Sequence, residues 1–308
     1  MATLLQFIAS RRIRHAYGSS DKKRDAGQTT PADISRYDDI LYGNDLQFRK
    51  WQLLDLYRPK AAVEADGSLK KLPVIVSVHG GAWVYGDKDK YQFYCMRLAQ
   101  RGFAVVNFSY RLAPEKKFPS SMQDTEAVFQ WICDNASQYG LDTSNVFAVG
   151  DSAGGHLLSL YTDAISNKEY GKIYPFIKEK PLTLRGVALN CGKYTLDDKE
   201  PKFRLLRSGY LPNGGNADEI KMIDAAANVS KDFPPAFIMT CVGDFLLEQA
   251  DVMKAALDAA GVQNELHCYG TKEKPLWHVF HCNPHLEEAV ICNDDECNFF
   301  RSLIWSDK

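Results

Sequence analysis

A chain of 308 residues, 45% of them hydrophobic, has enough apolar material for one large domain with a substantial core. Its net charge is −2 and its charged residues, 25% of the total, mix both signs along the chain, which excludes a basic field for nucleic acid. No apolar run reaches the length of a membrane span, and the eight cysteines lack paired spacing, so they read as free thiols, mostly buried, in a reducing, cytoplasmic setting.

The first 45 residues are polar. Leu4, Leu5, Phe7 and Ile8 precede Arg11, Arg12 and Arg14, the reverse of the order in a secretory leader, and the segment reads as an amphipathic helix laid over a pocket. A loop-like stretch, Gly18–Thr30, follows it. Gln52–Tyr57 alternates and reads as an outer strand, as does Glu265–Tyr269. Between them Leu72–His79, Phe103–Ser109, Val146–Val149, Gly186–Asn190 and Ala236–Val242 are short and almost wholly apolar, as strands buried on both faces are. Helical patterns separate the strands: Tyr91–Arg101 stopping at Gly102, Ser120–Tyr139 at Gly140, Gln249–Ala260 at Gly261, and Leu286–Leu303. This alternation predicts an α/β fold with a mainly parallel central sheet and helices on both faces. Residues 193–234 are rich in charge, Gly and Pro, with a short helical pattern around Asp218–Ala227. They read as a cap insertion that joins the 1–45 segment over a catalytic domain spanning 46–308.

Gly150-Asp151-Ser152-Ala153-Gly154-Gly155 lies between the strand Val146–Val149 and the helix-like run His156–Ile165. Strand, glycine-flanked serine, helix is what a nucleophile elbow needs, because the serine must occupy a sharp turn that other backbone closely approaches. A serine hydroxyl requires a base within hydrogen-bond reach, and the base requires an acid. Asp244 directly follows the strand Ala236–Val242 and suits the acid, although a helix N-cap aspartate is common at such a place. Of the seven histidines, His278 follows the last strand and is the chosen base, with His281 as its rival. The tetrahedral intermediate needs N–H donors, and His79-Gly80-Gly81-Ala82-Trp83 follows an early strand. The N–H groups of Gly81, Ala82 and Ala153 are therefore expected to form the oxyanion hole.

Four blocks together, His79–Trp83, Tyr110-Arg111-Leu112-Ala113-Pro114-Glu115, Gly150–Gly155 and Pro234-Pro235 through Asp244, make the chain resemble the hormone-sensitive-lipase-like (bacterial family IV) carboxylesterases of the α/β-hydrolase superfamily. The resemblance spans roughly residues 50 to 280. It implies the α/β-hydrolase fold, Ser152 as nucleophile, Asp244 as acid, His278 as base and a cap built from the N-terminal segment. Three departures stand out: Ala82 replaces the third glycine of the oxyanion motif, Phe245 follows the acid where Pro is usual, and Val279 follows the base where Gly is usual. The activity expected is hydrolysis of short- to medium-chain acyl esters. A sugar-ester deacetylase or an arylformamidase-type amidase would use the same machinery, and a non-catalytic receptor on this fold is the alternative of another class. Trp83, Tyr85, Cys191, Tyr194 and Phe245 are the expected pocket lining. No metal and no organic cofactor is expected, since the clustered His278, His281, Cys282, His285, Cys292 and Cys297 lack the spacing of a closed zinc site. The partner expected is a small-molecule ester, with neither nucleic acid nor a membrane span involved, and assembly into a homo-oligomer is left open.

Overall fold

The computed structural model describes residues 3–196 and 201–305. Its strands are β1 (Ile34–Leu41), β2 (Leu53–Pro59), β3 (Leu72–Val78), β4 (Ala104–Phe108), β5 (Leu141–Asp151), β6 (Leu184–Asn190), β7 (Ala236–Cys241) and β8 (Asn264–Tyr269). They form one sheet in the order β1-β2-β4-β3-β5-β6-β7-β8. Pairing is antiparallel between β1 and β2 and between β2 and β4, and parallel everywhere else. The helices are α1 (Leu4–Arg24), α2 (Lys88–Gln100), α3 (Ser120–Tyr139), α4 (Ala153–Ser166), α5 (Lys168–Gly171), α6 (Pro201–Tyr210), α7 (Ala217–Met222), α8 (Ala225–Asn228), α9 (Leu247–Ala259) and α10 (Glu287–Ser302).

Alternation along each strand divides the core in two. Val74, Val76, Val146 and Ala148 face one layer with Phe129 of α3, Leu157 of α4 and Met253 of α9. Ile75, Phe147 and Val149 face the other, with Met96 of α2 and Phe300 of α10. With both faces covered, the central strands have no solvent side on which to carry polar residues, hence their continuous apolarity. The helix stop at Gly140 adopts the left-handed conformation (φ 60°) that ends α3.

In the N-terminal segment two elements differ from the sequence reading. The helix expected before the Gly18–Thr30 loop runs on to Arg24, opened by a capping box at Thr3 and Gln6 and closed by Lys22, Lys23 and Arg24 in its last turn, where cations suit the helix dipole. Ile34–Leu41 lies within the segment assigned to the cap, yet it pairs with β2 as the sheet edge. Only Ile34 of this strand is buried, and a register shift between Tyr37 and Ile40 breaks its alternation, so its apolar period is faint. Six of the eight cysteines are buried, while Cys133 is half-buried and Cys268 exposed.

Candidate active site

β5 delivers Ser152 at the carboxyl end of the sheet, the edge where α/β proteins bind ligands. Ser152 has φ 53° and ψ −118°, a strained conformation for a residue with a side chain. The turn is held by Ser152 N–H donating to the Asn190 carbonyl (3.0 Å) and by α4 beginning at the next residue. Gly154 is obligatory, because a Cβ there would run into the Val78 and His79 carbonyls.

The loops after β7 and β8 supply the other two groups, and a parallel bridge between Gly243 and Trp277 ties them together. His278 Nε2 lies 2.9 Å from Ser152 Oγ, and His278 Nδ1 lies 2.8 Å from Asp244 Oδ1. Asp244 Oδ1 also accepts from Leu246 N–H at 2.8 Å, which fixes the carboxylate independently of the histidine. Burial raises the Asp244 carboxyl, but the hydrogen bond and charge of His278 outweigh it and hold the group below the usual range. With Asp244 ionised, Nδ1 carries the proton and Nε2 is left to accept one from Ser152.

In the loop after β3, Gly81, Ala82 and Trp83 all have positive φ (116°, 53° and 62°), so the chain turns sharply beside Ser152. Only glycine fits at 81, where a Cβ would overlap the Tyr85 carbonyl. Gly81, Ala82 and Ala153 all line the cavity beside Ser152, and Ala153 opens α4, where N–H groups have no intrahelical acceptor. The Tyr110 hydroxyl donates to the His79 carbonyl (2.8 Å), and the buried His79 ring stacks on Tyr110 at 4.0 Å, so the second sequence block braces the first.

Asp151 has a place in this frame that its position in the motif alone does not reveal. Its carboxylate accepts from Tyr91 OH (2.8 Å) and from Gly80 N–H (3.2 Å), joining the elbow to the glycine loop. Burial, partly offset by the Tyr91 bond, pushes it up to about 6. Beneath it Glu296 is also fully buried; it accepts from Tyr94 OH (3.0 Å) and from Asn190 Nδ2 (2.6 Å), and burial pushes it up to about 7.

The rival base, His281, is buried with its ring edge-on to Tyr94, and burial drives it down to about 3. It does not reach Ser152. Of the expected lining, Trp83, Tyr85 and Phe245 border a cavity of about 310 Å³. Trp83 is locked by donating Nε1–H to His156 Nδ1 (3.2 Å), and Phe245 packs on the His278 ring at 4.4 Å. Cys191 and Tyr194 are not part of the wall. The chain turns at Cys191 (φ 47°), whose thiol packs beneath Asp244 against Met239, and Tyr194 is fully buried beside Gly192. The wall is instead completed by Ser20, Asp21 and Arg24 of α1 and by Phe203 and Leu206 of α6. Asp21 accepts from Tyr85 OH at 2.7 Å. Cys191, Cys241 and Asp244 have potential ligand atoms within 4.8 Å of one another, whereas the His278–Cys297 cluster of the sequence does not converge among the described residues.

Residues 75–282 match the model of a family described as alpha/beta hydrolase fold. Versiconal hemiacetal acetate esterase of Dothistroma septosporum is 28% identical over 235 residues, 68% of each chain. Carboxylesterase NlhH of Mycobacterium tuberculosis is 30% identical over 203 residues, and the match spans 63% of either chain. Among solved structures, an inhibited esterase B from Lactobacillus rhamnosis superposes with a TM-score of 0.87 at 24% identity, covering 97% of this chain and 96% of that one. The carboxylesterase EstE1, cloned from a metagenomic library, gives 0.75 at 20% identity, covering 96% and 98%. At these identities the structural likeness is one of fold.

Proposed function

Because the chain belongs to the hormone-sensitive-lipase-like family of α/β-hydrolases, we propose that it is a serine carboxylesterase acting on short- to medium-chain acyl esters. The observation that carries this reading is the continuous run of hydrogen bonds from Ser152 Oγ through His278 to Asp244. In the first step His278 Nε2 takes the Ser152 proton as Oγ attacks the ester carbonyl. The resulting oxyanion is held by the N–H groups of Gly81, Ala82 and Ala153, donors already oriented before the charge develops. The tetrahedral intermediate collapses, and the alcohol leaves with the proton from His278. Water, deprotonated by the same imidazole, then hydrolyses the acyl-enzyme. Asp244 holds the Nδ1 tautomer and stabilises the imidazolium in both steps. Every proton in this cycle is moved by His278, and no metal or organic cofactor takes part.

A cavity of about 310 Å³ is at the small end for ligand sites, which supports the restriction to short and medium acyl chains. Helices α1 and α6 act as the cap in this reading. The test is hydrolysis of p-nitrophenyl esters from acetyl to dodecanoyl by wild type and Ser152→Ala. Activity that peaks below about eight acyl carbons and falls by about a millionfold in the variant is expected. Equal activity in both proteins sinks the assignment.

A further inference from the structure

Helix α1 puts Tyr17, Ser20, Asp21 and Arg24 into the cavity wall, and its opposite face is open to solvent. At 100° per residue that open face collects Leu4, Leu5, Ile8, Arg11, Arg12, His15, Lys22 and Lys23, and every one of these is exposed. Leu4 and Leu5 are 75% and 67% exposed, far more than packing against the body would leave. The face carries four cations and no carboxylate. The acids of this region turn inward, Asp21 to Tyr85 and Asp25 to Arg24. Arg14 lies 6.0 Å from the Trp51 ring, which links the helix to the turn Leu46–Trp51, where Leu46 is 81% exposed and Arg49 and Lys50 are also exposed. Aliphatic side chains at one end of a helix, with arginines one turn behind them, match a surface with anionic headgroups above an acyl interior.

We infer that this face docks the protein on an anionic lipid surface, with Leu4, Leu5 and Ile8 entering the acyl boundary and Arg11, Arg12, Lys22 and Lys23 lying along the headgroup phosphates. The helix is about 31 Å long, so its cations reach several headgroups at once. Docking by the outer face of a helix whose inner face lines the cavity puts Ser152 close to esters dissolved in that surface. This consequence rests on the esterase reading, whereas the docking itself does not.

The experiment is flotation of the full chain with vesicles of phosphatidylcholine containing 30% phosphatidylglycerol, beside vesicles of phosphatidylcholine alone. Binding to the anionic vesicles, released by 0.5 M salt, is expected. Arg11→Gln with Arg12→Gln should weaken partitioning roughly thirtyfold, and Leu4→Ser with Leu5→Ser and Ile8→Ser should also release the protein. Hydrolysis of soluble p-nitrophenyl acetate without vesicles should be unchanged in both variants, which shows that they fold. A wild type that hydrolyses the ester but stays unbound overturns the docking alone, and one that floats without hydrolysing overturns the esterase reading alone. Binding that survives loss of the leucines, and that soluble polyphosphate competes away, would mark a general polyanion site and overturn the lipid assignment.

Discussion

Glu296→Gln should make the protein more stable at neutral pH, by an amount that depends on pH. Glu296 is fully buried, and burial pushes it from 4.5 up to about 7. Between those values the unfolded chain has released the proton and the folded chain retains it, so stability falls as pH rises from about 4.5 to about 7. Above 7 both states are ionised and the loss is complete. A difference of 2.5 in pKa corresponds to about 3 kcal/mol, the amount by which the folded state disfavours the charge. Glutamine removes the charge and keeps the shape. Its oxygen still accepts from Tyr94, and its amide can donate to Asn190 Oδ1, which is now buried without a partner, once the Asn190 side chain turns over. Thermal melts of both proteins from pH 4 to 8.5 test this. The curves should coincide near pH 4 and separate by roughly 5 °C above pH 7. A constant separation at every pH would refute the reasoning, because it would mean that packing rather than charge accounts for the change.

Two further substitutions test the site. Asp244→Asn should lower kcat about ten-thousandfold with little change in KM, since the amide favours the wrong imidazole tautomer. A loss smaller than tenfold would show that Leu246 N–H and Asp244 do not orient His278 together. Gly154→Ala places a methyl against the Val78 carbonyl at the base of the elbow, and should cost about 3 kcal/mol or more in urea titration. An unchanged midpoint would mean that the elbow yields easily.

The strands and the meeting of Ser152, Asp244 and His278 at one end of the sheet were legible because each rests on a local rule. Ser152 follows a strand, has small neighbours and precedes a helix; Asp244 and His278 follow later strands in the expected order. Tertiary arrangement decided what the sequence misjudged. Tyr194 is an aromatic just beyond a strand end, which suits a pocket wall equally well, and only the turn at Cys191 sends it into the core. Ser20, Asp21 and Arg24 were missed because they sit in a polar run beginning at Gly18 that resembles a loop; contacts of Asp21 with Tyr85 and of Arg24 with the Lys90 carbonyl hold it against the body. The edge strand β1 was hidden for a related reason, since a strand with one buried residue has almost no apolar signature. Asp151 was visible within its motif, but its link to Gly80 joins residues 71 positions apart and has no local trace.

The attachment of α1 gives the molecule a control that its core does not share. The helix buries a single residue, Ser10, and is fastened by polar ties: Arg14 to Glu115 (2.6 Å) and to the Val84 carbonyl (2.7 Å), Gln6 to Ser208 (2.9 Å), and Asp21 to Tyr85. Ile13 packed against the core and the Tyr17 ring edge-on to Tyr85 add an apolar share, but much of the attachment is polar, and its ion pair weakens as salt screens it. Ionic strength therefore bears on the helix that borders the cavity, while the serine, imidazole and carboxylate follow the ends of β5, β7 and β8 in the sheet. Turnover of bulky esters that reach α1 should therefore respond to salt more than turnover of small ones, which keep to the region around Ser152.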